Sequence, residues 1–159
     1  MLKKVLLCTA LVTFVTASVC FASIRREQIE LGCIMVGETR DFVESIYGEP
    51  DSSKVNHMWG GMNCRYGDSF DVTYTMDGRV IHISTTADNG IVTADGIKIG
   101  STINDIMRVY GEPKNSVRDR ITNRFNMFFY NVEGERRIGI RFDFDLEGYV
   151  TKIGSGYFD

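Results

Sequence analysis

Two histidines, His57 and His82, and the carboxylates Asp143, Asp145 and Glu147 are the side chains of this sequence whose types could do chemistry. Each histidine falls in a strand-like stretch, and no Ser or Cys nucleophile is placed beside it by a motif. His82 alternates with Ile81 and Ile83, so it is expected on the polar side of its strand. Asp143 and Asp145 are two apart and are expected to share a strand face. With Glu147 they could offer oxygen ligands to Ca²⁺, but the downstream Glu of an EF-hand loop is missing. No His-Glu-x-x-His, phosphate loop or dinucleotide fingerprint is present, and Gly154-Ser155-Gly156 does not join a strand to a helix. The expectation is a chain with no catalytic residue, no metal and no cofactor. An enzyme assembled from Asp143, Asp145 and His82 is the weakest of three functional readings.

Binding signals are stronger. Met58-Trp59-Gly60-Gly61-Met62 reads as a hairpin tip carrying the only Trp and two flexible Met side chains. Exposed aromatics anchor protein interfaces, and Met adapts to a partner's shape. Trp59 folded back onto the core is the competing reading. A second candidate is a polar sheet face with Arg65, Thr73, Thr75, Arg79, His82, Arg124, Arg137 and Arg141, where cations stand out against an acidic whole. An ordinary solvated sheet with cross-strand charge pairs is the alternative there. The candidate binding residues are Met58, Trp59, Met62, Arg65, Tyr74, His82, Arg137 and Arg141.

The N-terminus sets the expected compartment. Lys3-Lys4 precede an apolar run from Val5 to Val15, and the stretch ends on Cys20-Phe21-Ala22. This is the pattern of a signal peptide over residues 1–22, cleaved near Ala22. The run is short for a membrane span, and Val19 does not suit a lipidated Cys20. The remaining chain has 16 basic and 21 acidic residues, a charge of −5. That balance disfavours nucleic acid or an anionic membrane as partner. Cys33 and Cys64 remain after cleavage, an even pair in an oxidising compartment, and are expected to form a disulfide. Two buried free thiols are the alternative.

The elements that must position these residues are repeated. Ile34 to Pro50 and Ile97 to Pro113 match at an offset of 63 without a gap, sharing Ile, Gly, Thr and the tetrapeptide Tyr-Gly-Glu-Pro. Thr39 and Thr102 are N-caps. Gly48 and Gly111 close short helices, and Pro50 and Pro113 prevent their resumption. Helices of about eight residues are not stable alone and must lie on a sheet. Downstream, Phe70 to Met76 and Ile138 to Phe144 alternate apolar and polar residues. Asp77-Gly78 and Glu147-Gly148 read as tight turns. The expectation is an α+β fold of two tandem repeats, each a short helix packed on an antiparallel sheet of about four strands. Residues 23–86 form the first repeat, 87–96 a connector and 97–159 the second.

The pattern Gly-x-Thr, Val, Tyr-Gly-x-Pro, then a hairpin ending in Asp-Gly-x-Val, resembles the repeat of the β-lactamase-inhibitor-protein-like fold over residues 33–155. It is also similar to the single-copy SmpA/OmlA lipoprotein domain. The resemblance implies a scaffold of tandem helix-plus-four-strand units with a concave sheet. It transfers no activity, because the shared residues are caps, turns and core positions. Copy two has no cysteine, and Cys33 aligns with Gly96, unlike the disulfide-bearing repeats of the inhibitor type. The leading functional expectation is a secreted or periplasmic, non-enzymatic module that binds a protein partner. The alternative is an envelope structural or outer-membrane assembly factor.

Overall fold

The computed structural model describes residues 23–57 and 60–158. After a 3-10 turn at Arg26–Ile29 come helix α1 (Arg40–Tyr47) and strands β1 (Ser52–Asn56), β2 (Gly61–Tyr66), β3 (Phe70–Tyr74) and β4 (Val80–Thr85). Helix α2 (Ile103–Tyr110) is followed by β5 (Asn115–Arg118), β6 (Phe125–Asn131), β7 (Ile138–Phe144) and β8 (Val150–Tyr157).

The expected pair of helix-on-four-strand units is not the architecture that forms. All eight strands make one antiparallel sheet in the order β1-β2-β3-β4-β8-β7-β6-β5, and with only two short α-helices among the described residues the fold is mostly β. The seam is the pairing of β4 with β8, from His82 opposite Gly156 to Thr85 opposite Ile153. The physical reason lies in the backbone. Two separate four-stranded sheets would leave β4 and β8 as edges with unpaired N–H and C=O groups beside the core, and pairing them satisfies both.

Each helix is fixed at both ends by its own sequence. Thr39 Oγ1 accepts from Phe42 N and Thr102 Oγ1 from Asp105 N, both at 3.2 Å. Gly48 (φ 77°, ψ −167°) and Gly111 (φ 75°, ψ −165°) adopt a conformation that essentially only glycine enters, which stops each helix at its eighth residue. The helix entries are also clamped to the nearest hairpin. Gly37 N donates to Val80 O and Val80 N to Glu38 O; Gly100 N donates to Val150 O and Val150 N to Ser101 O. The recurring Gly-x-Thr is therefore half cap and half strand partner.

Among the described residues, one face of the sheet is covered. Val43 and Ile106 of the helices pack with Phe70, Val72, Ile83, Phe128, Ile140, Phe142 and Ile153 in a single core. Tyr47 stacks on Phe70 and Tyr66, and Tyr110 on Tyr130 and Phe142. Residues 24–36 and 91–99 cover the middle of this face. Leu31 bridges to Thr93, and Ser155 of β8 donates to the carbonyl of Ile29. Among the described residues, the opposite face carries no helix.

Candidate functional site

The open face is assembled by the pleat. Register places Arg65 of β2 opposite Asp71 of β3, Asp71 opposite Ser84 of β4, Ser84 opposite Gly154 of β8, Gly154 opposite Arg141 of β7, and Arg141 opposite Phe129 of β6. A neighbouring row runs Asn63, Thr73, His82, Gly156, Gly139. Side chains two apart on a strand share a face, so Lys54, Lys152, Asp143 and Met127 lie on this side as well.

The half over β1 to β4 is polar. Arg65 donates from Nε to Asp71 Oδ1 (2.8 Å) and from Nη2 to Asp71 Oδ2 (3.0 Å), a two-pronged pair across adjacent strands. With Ser52, Lys54, Asn63, Thr73 and Ser84 this pair lines a shallow trough of about 300 Å³.

The half over β6 to β8 is aromatic. The Phe158 ring meets Phe129 at 4.9 Å and His82 at 5.4 Å between centroids, both edge-on. Its backbone N–H is held by the Arg137 carbonyl at 2.8 Å. A Cβ at Gly154 would come within 3.3 Å of His82 Nε2 and 3.6 Å of Phe158, so the glycine leaves the space that these rings occupy. Arg141 donates from Nε and Nη2 to Asp143 Oδ1 (2.8 and 2.7 Å). Asn115, Met127, Phe129, Arg141 and Phe158 line a pocket of about 190 Å³. His82 sits at the border of the halves. Burial, and then the nearby Lys152 and Arg141, push its imidazole down to about 4, so it is neutral at physiological pH.

Arg65, His82 and Arg141 thus share one surface. Arg137 is exposed just before β7, where its carbonyl holds Phe158. Two expected binding residues are not on this surface. Tyr74 is 1% exposed, its hydroxyl 3.1 Å from that of Tyr66. Burial, reinforced by that hydrogen bond, pushes its phenol well above the ordinary value. Tyr74 keeps the parity of Phe70 and Val72, which is why it belongs to the core. Met62 lies opposite Tyr74 on the covered side and packs against the core. Met58 and Trp59 lie outside the described residues, as do residues 1–22.

Other expectations are corrected. In the structure Cys33 and Cys64 are free thiols and not the expected disulfide. Cys33 is an exposed thiol on a loop with φ 61°, whereas Cys64 is buried on the core side of β2, its Sγ 3.3 Å from Ser53 Oγ. Asp143 and Asp145 do not act as a pair. A register shift at Asp143/Phe144 ends the regular pleat, and Asp145 instead accepts from Glu147 N and Tyr149 N within its own turn. Arg79 and Arg124 are turn residues whose guanidinium groups donate to the carbonyls of Gly37 and Leu146. Among the described residues no group of three or more His, Cys, Asp or Glu is placed to hold a metal ion.

No family model matches the chain, and no curated protein does. Its fold is shared with solved structures. A cysteine-rich secretory protein from Staphylococcus aureus matches with a TM-score of 0.58 at 14% identity, over 84% of this chain and 48% of that one. An extracellular protein containing a SCP domain, from Bacillus anthracis, matches with a TM-score of 0.55 at 12% identity, over 77% of this chain and 44% of that one. The chain therefore spans less than half the length of either, and the likeness is one of fold. Both of those proteins are described as extracellular or secretory. Among the described residues of this chain, no helix is long and apolar enough to cross a membrane.

Several open-face residues carried no motif. Phe129 was hidden in the run Phe125 to Tyr130, where aromatics occupy both faces. Phe158 stands past the last regular strand. Lys54 and Lys152 are isolated lysines, yet each has the parity of an open-face neighbour.

Proposed function

We propose that the protein is a secreted or periplasmic, non-enzymatic binding module that holds a protein partner on the open face of its sheet. The observation that carries this reading is the contrast between the two faces. One is sealed by helices and chain segments. The other, among the described residues, is open, with Lys54, Arg65, Arg141 and Lys152 set against Asp71 and Asp143 around an accessible aromatic patch. That excess of positive charge sits on a chain of net charge −3, so the partner that fits is one presenting an acidic surface with an apolar side chain at its centre. The leader pattern of residues 1–22 supports delivery out of the cytoplasm.

The test is capture of envelope proteins by the mature chain beside Lys152→Glu and Gly154→Trp variants with native circular dichroism. The partner so identified is then purified and titrated directly. A partner bound by the wild type and weakened at least tenfold by both variants supports the reading. Equal binding by all three proteins, or no partner at all, overturns it.

A further inference from the structure

We propose that the open face recognises an extended acidic segment that crosses the strands, one carboxylate of the segment bound by Arg65, a second by Arg141, and an apolar side chain seated between Phe129, Phe158 and Met127. This rests on the open face being the binding surface and names the chemistry it selects.

Three observations converge. First, both arginines are held in the same way. Each gives its Nε and Nη2 to a neighbouring aspartate, Arg65 to Asp71 and Arg141 to Asp143, and among the described residues the Nη1 group of each has no partner. A guanidinium fixed along one edge retains free donors on the other, already oriented for a carboxylate. Second, the two arginines lie in one row across the sheet, and only Asp71, Ser84 and Gly154 stand between them. Asp71 is engaged by Arg65 and Ser84 is small, while over Gly154 the edges of the His82 and Phe158 rings fill the row, so a segment crossing it passes over an aromatic floor at that point. Third, the row ends beyond Arg141 at Phe129, beside the pocket of about 190 Å³ that Phe158 and Met127 complete. Lys54 and Lys152 flank the row on the same face and add positive charge without an ion-pair partner among the described residues.

The spacing follows from sheet geometry. Arg65 and Arg141 are four strands apart in the order β2-β3-β4-β8-β7, which at about 4.8 Å per strand is roughly 19 Å. An extended chain rising about 3.3 Å per residue covers that distance in about six residues. The apolar residue then follows about two positions after the second acid, because Phe129 is one strand further on.

The probe is a nine-residue peptide with Glu at its first and seventh positions, Phe at its ninth and Gly or Ser elsewhere. The control has Glu at its first and third positions and the same Phe. Binding is followed by amide chemical-shift changes on the full mature chain. The expected result is that shifts follow the row Arg65, Ser84, Gly154, Arg141 and Phe129, that the control binds at least fivefold more weakly, and that Arg65→Gln and Arg141→Gln each weaken the probe at least fivefold. Equal binding of probe and control, shifts confined to another surface, or indifference to Arg65→Gln overturns the proposal. The broader reading is separable from it. A protein partner that still binds the Arg65→Gln, Arg141→Gln double variant but is lost on Phe129→Ser keeps the open face as the binding surface and removes the carboxylate sockets.

Discussion

The two halves of the sheet differ on one face and agree on the other. At an offset of 70, Phe70, Val72 and Tyr74 correspond to Ile140, Phe142 and Phe144, and all six are buried. The residues between them do not correspond in kind. Asp71 answers to Arg141, Thr73 to Asp143, His82 to Lys152 and Ser84 to Gly154. The covered face keeps its apolar character because every position there touches a neighbour whose volume it must match. The open face is released from that constraint: charge reverses at the matched pair Asp71 and Arg141, and the two halves differ in texture. The difference teaches that the duplicated pattern belongs to the scaffold, while whatever the protein recognises is set by the unduplicated residues.

The largest effect that would break this comparison is at the seam. Gly156 has φ 132°, and a Cβ there would lie 2.3 Å from the Ile81 carbonyl. Gly156→Ala should cost about 3 kcal/mol or more in urea unfolding. Gly154→Ala meets side-chain edges of the His82 and Phe158 rings and no backbone, and should cost under about 1 kcal/mol. Equal losses at the two sites would contradict the close approach described for β4 and β8.

The next effect follows the pH. His82 is held at about 4 in the folded chain, against 6.5 for the free side chain. The unfolded chain therefore takes up the proton first. Stability is unaffected above pH 6.5 and is lost as pH falls from there to about 4, by up to roughly 3 kcal/mol at 1.4 kcal/mol per pKa unit. Unfolding free energies measured from pH 7 to 4 should show this slope, and His82→Gln should flatten it. A wild-type slope no steeper than that of the variant would place His82 in solvent.

Phe158→Ala should have a smaller cost, about 1–2 kcal/mol, by removing the edge contacts to Phe129 and His82. It should also let the His82 imidazole titrate closer to its ordinary value, which NMR titration of its ring protons reads directly. The smallest effects are at the ion pairs. Asp71→Asn frees an Arg65 side chain that is already 52% exposed, and should leave the urea unfolding midpoint almost unchanged. Asp143, at 20% exposure beside Arg141, should cost somewhat more when changed to Asn. The reverse order would mean that the polar half, and not the aromatic half, is the more rigid.

The helices were legible because their signals are local. Thr39 and Thr102 as caps and the glycines that stop each helix need only neighbours in sequence. The alternation in β3 and β7 likewise showed which side chains face in, and by that same parity Tyr74 belonged inside. The seam was not legible. Pairing of β4 with β8 joins residues about 70 positions apart, and the pattern of β8 is blurred because two of its open-face positions, Gly154 and Gly156, carry no side chain. The cysteines misled for a related reason. Even count and compartment say nothing of direction, and Cys64 points into the core while Cys33 sits on an exposed loop. Of the open-face site, Arg65, His82 and Arg141 were found by type and parity. Phe129 and Phe158 depend on how the chain returns across the sheet.

The β4–β8 seam has a consequence for how the chain is made. Every other strand pair closes within a hairpin, but this one waits until both ends of the sheet exist. Until then β4 and β8 are bare edges, and each is a complementary template for the other. Two unfinished chains meeting at high concentration can exchange these strands, β4 of one receiving β8 of its neighbour. The resulting dimer would have two native seams and no foreign contacts, and dilution alone would separate it only as slowly as a whole half-sheet can peel away.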